Sequence, residues 1–152
     1  MTMPPPLALA HALAPALAGL HWGIGGSCLL HHLGLEAAPR DLDIVTTPEH
    51  FEVLRQRVEG RLGPGQRPPH PDYRTRHFLQ FVSPQGVGLD LMAGIAVRRG
   101  DGLASWHFDP ASVQTDDGLP WMRVADWLQL YRLFGRSARV ARLEAWLARP
   151  PG

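Results

Sequence analysis

Lysine is missing from this chain; all fifteen basic residues are arginine. That excludes Schiff-base chemistry on a lysine amine and a P-loop lysine on a phosphate. Phosphate recognition is left to arginine, backbone N–H groups, hydroxyls or metal ions. Cysteine is nearly missing too: Cys28 stands alone among 152 residues, so neither an internal disulfide framework nor a cysteine-rich zinc site can form. The formal net charge is only +1, which excludes a strongly basic nucleic-acid binder on global grounds. Apolar runs are short. Residues 7–20 are interrupted by His11 and Pro15, and residues 23–30 are fewer still, against the roughly 20 that a membrane span needs. Residues 1–6 carry no basic charge ahead of an apolar stretch, unlike a secretory leader. The expected setting is the cytoplasm, without membrane attachment.

What the chain does have is one domain's worth of apolar material. Hydrophobic residues make up 45% and charged residues 19%, a mix that argues against disorder and against a coiled coil. A single domain over 1–152 is expected, with a core at about 20–110 and C-terminal helices at about 121–149. Residues 7–19 are rich in alanine and leucine and predict a helix complicated by Pro15. His21 to Ile24 predicts a short strand, and residues 27–33 predict a helix with Ser27 as N-cap. Residues 42–46 alternate and are β-branched, as a strand requires. Thr47 and Pro48 then open a helix to about Arg61, with Phe51, Leu54 and Val58 on one face. Residues 63–71 predict a loop. Residues 76–83 and 87–92 predict a hairpin, and residues 105–108 a weaker strand. Val124, Trp127, Leu128 and Tyr131 mark one amphipathic helix, and Val140, Leu143 and Leu147 a second, with Gly135 between them. The alternation of strands and helices predicts an α/β or α+β fold with a mixed sheet.

Three features carry chemistry. Gly25-Gly26-Ser27 lies between a predicted strand and a predicted helix. Two glycines let the backbone approach a ligand closely, and a helix N-terminus suits an anion such as a triphosphate; an ordinary strand-to-helix turn has the same pattern. Asp41 and Asp43 sit at i and i+2 at the mouth of a strand, so they share a side, roughly 6.6 Å apart along it. Carboxylates so placed suit a hard divalent cation, although aspartate also caps exposed strand ends. Asp90 is a lone acid in an apolar strand, costly to bury unless it is paired or binds a metal; an edge or exposed face would relieve it.

Taken in order, Gly25-Gly26-Ser27, the Asp41-Leu42-Asp43 pair and the later Asp90 resemble the nucleotidyltransferase superfamily that shares the DNA polymerase beta fold. Thirteen residues separate Ser27 from Asp41, and the likeness covers roughly residues 20–94. It implies Mg²⁺-dependent transfer of a nucleoside monophosphate from an NTP, ATP among them, to an acceptor hydroxyl with release of pyrophosphate. It also implies that Asp41, Asp43 and Asp90 bind two metal ions, that Asp90 helps deprotonate the acceptor, and that Gly25, Gly26 and Ser27 hold the triphosphate. Arg40 and Arg76 are added as phosphate-neutralising candidates by proximity alone. The acceptor could be a small molecule, a protein or an RNA end, and a homodimer could complete its pocket. The alternative from another class is a catalytically silent binding protein that keeps the fold, such as an antitoxin-like partner or a nucleotide sensor.

Other features carry less. Adjacent helical positions point about 100° apart, so His31 and His32 cannot easily share an ion, and His70 and His77 add nothing in sequence. Cys28 fits a small buried helix residue. Trp121, Trp127 and Trp146 fit core anchors. Arg132, Arg136, Arg139 and Arg142 could make a local anionic-ligand or RNA patch across the last two helices, but fit a solvated helix face better.

Overall fold

A computed structural model describes residues 2–36, 38–68 and 75–150. Helix α1 (Pro5–Leu13) starts with proline in its first turn, where the missing N–H costs nothing. It gives way to a 3₁₀ turn (Ala14–Leu17) at Pro15. The predicted helix over 7–19 is therefore two pieces, because Pro15 cannot continue the α-helical ladder. Strand β1 (Trp22–Gly25) runs directly into α2 (Gly26–His32), and β2 (Leu42–Thr46) into α3 (Pro48–Leu62). At the start of α3 the Thr47 hydroxyl accepts from the His50 N–H, as the sequence predicts. Phe51, Leu54 and Val58 are the buried positions of α3, and such burial is worth about 1.5–3 kcal/mol per side chain.

Strands β3 (His77–Val82) and β4 (Gly88–Ala93) form the expected hairpin. Beyond it lie β5 (Ile95–Arg99), β6 (Gly102–Trp106), β7 (Gln114–Asp116) and β8 (Leu119–Trp121). The weak strand expected at 105–108 is the end of β6, which pairs with β5 in a separate two-stranded ribbon. Strands β5, β7 and β8 have no clear period-2 pattern in sequence. The chain closes with α4 (Val124–Leu133) and α5 (Ser137–Ala148), packed on each other around Gly135.

The main sheet has six strands in the order β3-β4-β2-β1-β8-β7. It is mixed: β2 is parallel to β4 and antiparallel to β1, while β8 returns parallel to β1. Leu42, Ile44, Leu89 and Leu91 are fully buried, and by strand alternation they face away from Asp43 and Asp90. Helix α3 packs against β3 and β4, and α1 against β2. Among the described residues no helix is long and apolar enough to cross a membrane. Residues 69–71 of the expected loop, His70 included, lie outside the described residues.

Candidate active site

Register is what assembles the acids. Gly25 pairs with Asp43 across β1 and β2, Asp43 with Asp90 across β2 and β4, and Asp90 with Gln80 across β4 and β3. These four residues form one row across the sheet, so their side chains share a face. Glycine is required at the first position because a Cβ on Gly25 would run into the Trp127 ring. Gly26 follows in the left-handed region at φ +60°, where a Cβ would overlap the Asp43 carboxylate. The two glycines thus leave room for a tryptophan and an aspartate.

Asp41, Asp43 and Asp90 all line one cavity of about 160 Å³, together with Ser27, Arg40, Arg136, Arg139 and the aromatic side chains of Phe78, Trp127, Tyr131 and Phe134. Asp43 and Asp90 are half-buried neighbours across the β2–β4 ladder. Gln80 Nε2 donates to Asp90 Oδ1 at 3.1 Å. Burial, then the Asp90 charge, then the Asp41 charge hold the Asp43 carboxyl well above the usual carboxylate range; Arg139 and Arg136 pull the other way. Burial also raises Asp90, against the hydrogen bond from Gln80. Asp41 stays exposed at the rim, its Oδ1 close to Gly88. Among the described residues no three His, Cys, Asp or Glu side chains close into a ready metal cluster. The donor set nonetheless fits a hard divalent cation. Two carboxyl groups stand side by side in a half-buried row, each raised by burial, and a third stands at the mouth, which is the condition a cation relieves.

Ser27 departs from its expected role. Helix α2 begins one residue earlier, at Gly26, with Gly25 as N-cap and no side-chain cap. The buried Ser27 hydroxyl donates to the Asp41 carbonyl at 3.3 Å and accepts from the Arg40 N–H at 3.0 Å. It pins the backbone that delivers Asp41. Cys28 does the same more weakly, its Sγ 3.4 Å from that carbonyl, and burial together with Asp43 and Asp41 pushes the thiol up to about 12.

Arg40 faces the cavity, and Arg76 does not. Arg76 pairs with Gly94 at the far end of the β3–β4 ladder, four residues along the strand from Gln80. Nearness in sequence to a strand did not translate into nearness to the acids. Arg136 and Arg139 face the cavity as well, while Arg132 and Arg142 keep the exposed position expected of the C-terminal arginines. Arg139 Nη1 lies 3.4 Å from both Glu36 Oε1 and the Tyr131 hydroxyl, and Arg142 lies 3.1 Å from the same Glu36 oxygen. Burial raises the Tyr131 phenol above its usual range. Tyr131, Arg136 and Arg139 were missed as site residues because only the docking of α4 and α5 against the sheet aims them there.

The remaining sequence features resolve simply. His31 Nδ1 contacts the Glu36 carbonyl at 2.9 Å, whereas His32 stacks on Trp121 and pairs with Asp116 at 3.0 Å. The two rings are thus turned to different partners. His77 stacks on Phe51. Trp121 and Trp127 are buried, but Trp146 is only half-buried, with Arg149 over its ring, so it is not a core anchor.

No protein-family model matches the chain, and no curated protein matches it in sequence. Solved structures do match in shape. A Thermotoga maritima protein assigned as a nucleotidyltransferase superposes with a TM-score of 0.69 at 20% identity, covering 95% of each chain. ANT(2″)-Ia, an aminoglycoside nucleotidyltransferase solved with adenylyl-2″-tobramycin, superposes with a TM-score of 0.57 at 15% identity over 93% of this chain and 89% of its own. The fold is that of a minimal nucleotidyltransferase, as the resemblance implied.

Proposed function

We propose that this chain, which carries the nucleotidyltransferase fold, transfers a nucleoside monophosphate from an NTP to an acceptor hydroxyl in a Mg²⁺-dependent reaction. The observation that carries this is the side-by-side register of Asp43 and Asp90 on parallel strands, with Asp41 at the rim of the same cavity. Asp41, Asp43 and Asp90 would hold two divalent cations, which neutralise the α-phosphate and make the acceptor hydroxyl more acidic. Asp90 would take the hydroxyl proton. The bond from the acceptor oxygen to the α-phosphorus forms as the bond from that phosphorus to the bridging β-phosphate oxygen breaks, and pyrophosphate leaves with the electron pair. Gly25 and Gly26 admit Trp127 and Asp43 close to the turn, whose backbone N–H groups would face the triphosphate. Ser27 supports this from behind, by holding the backbone of Arg40 and Asp41. Arg40 and Arg139 would spread positive charge over the phosphates.

The test is incubation with Mg²⁺ and each labelled NTP in turn, starting with ATP, in the presence of a cell extract and, separately, of tobramycin. Label should move to an acceptor, with pyrophosphate released, and Asp43→Asn should abolish the transfer. Metal-dependent NTP binding without transfer to any acceptor would instead leave a silent binding protein.

A further inference from the structure

The acid cavity does not end at its arginines. A second depression of about 290 Å³ opens beside it between α4 and α5 and shares Tyr131 and Arg136 with it. Its wall runs along Val140 and Ala141, and Arg132 and Glu144 sit at its edge, 3.6 Å apart. Val140 is half-buried. The side chain of Arg136 is exposed and has no ion pair among the described residues.

The acidic groups around both cavities already have partners or proposed ligands. The carboxylates lining the acid cavity are Asp41, Asp43 and Asp90, which the proposed reaction commits to cations. The nearest others are already engaged: Glu36 by Arg139 and Arg142, Glu144 by Arg132. A polycationic acceptor bound here would find guanidinium groups and no unengaged carboxylate, and like charges in a partly desolvated site repel strongly.

We propose that the α4–α5 depression receives the body of the acceptor, and that this acceptor is a hydroxyl compound with an apolar body and an anionic group, read by Arg136, rather than a polyamine. The inference rests on the nucleotidyl-transfer proposal, since it places the acceptor hydroxyl at the shared Tyr131–Arg136 edge, facing the acids. Phosphate and carboxylate share the chemistry that Arg136 would recognise.

Three probes built on one ring separate the choices: 4-(hydroxymethyl)benzoate, benzyl alcohol and 4-(aminomethyl)benzyl alcohol. Their dissociation constants are measured on the full chain with Mg²⁺ and a non-hydrolysable ATP analogue, and Mg²⁺-dependent binding of the analogue is measured alongside. The anionic probe should bind about tenfold or more tightly than the cationic one. Arg136→Glu should reverse that order without changing the thermal midpoint beyond a degree or two, because the side chain is exposed. The phosphonate counterpart, 4-(hydroxymethyl)phenylphosphonate, tells phosphate-type from carboxylate recognition. Equal binding of the three probes, a preference for the amine, an order untouched by Arg136→Glu, or no binding at all overturns the acceptor proposal while analogue binding stands. Loss of analogue binding with the probe order intact overturns the transfer proposal and leaves the depression as an anion site.

Discussion

Gly26 and Asp43 occupy one another's space: the carboxylate of the second lies where a side chain on the first would have to begin. The strand-to-helix turn and the acid pair are therefore one structure, and neither can change without the other. Gly26→Ala should cost about 1–3 kcal/mol, from the left-handed backbone and the overlap together. Urea unfolding would show it, and Mg²⁺ should no longer raise the thermal midpoint, because Asp43 is displaced from its row.

Asp43→Asn should stabilise the metal-free protein above about pH 8. There the substitution removes a charge held beside Asp90 and Asp41; below it, it replaces a protonated carboxyl of the same shape. The expected gain is of order 1 kcal/mol. If the proposed cation site is right, Mg²⁺ should stabilise the parent and not this variant, whose melting curves with and without the ion should coincide. A variant less stable than its parent in chelator in that pH range would show that the carboxyl row is not repulsive.

Metal-free stability should also depend on pH in a direction opposite to most carboxylates. The folded protein holds the Asp43 proton more tightly than the unfolded chain, its carboxyl being pushed up to about 8. That contribution is complete below the ordinary carboxylate range and is lost as pH rises through about 8. Melting in chelator should therefore weaken between about pH 4 and pH 8, and Mg²⁺ should flatten the slope by favouring the ionised form. A chelator profile that climbs over this interval would contradict the picture.

Glu36 should act on Arg139 at a distance from the acids. It holds Arg139 and Arg142 on a single oxygen, and Arg142 also reaches the Leu35 carbonyl. Glu36→Ala should cost no more than about 1 kcal/mol in stability, because the ion pairs are partly solvated. It should raise the KM for NTP more than it lowers kcat, by leaving Arg139 unpositioned. Faster amide exchange confined to α5 would accompany it.

Cys28 should resist alkylation in the native state. Its thiol is buried and pushed up to about 12, so almost no thiolate is present at neutral pH. Iodoacetamide should label it only after denaturation, and Cys28→Ala should leave nucleotide binding intact.

Most helices and the inner strands were legible in sequence because local signals agree: Thr47-Pro48 starts α3, alternation marks β2, and Gly135 divides α4 from α5. Strands β7 and β8 were not legible. They are three residues each, and β8 exists because β1 offers it an edge rather than because of its own pattern. Sequence marks Pro15 as an obstacle to the helix, though not as the site of a 3₁₀ turn. It marks Ser27 as an N-cap, whereas the hydroxyl's partner, the Asp41 backbone, is fourteen residues away.

The order of residues by itself determined the three acids, the diglycine turn and the strands that carry them, because each follows from spacing and alternation within a few neighbours. Which arginines face those acids was decided only by tertiary structure. Arg76 is carried to the far end of a ladder, while Arg136 and Arg139, more than forty residues beyond Asp90, are swung over the cavity by two packed helices. Strand register and helix docking minimise exposed apolar surface across the whole chain. The direction of a polar side chain at the rim follows from that long-range balance, and no local pattern encodes it.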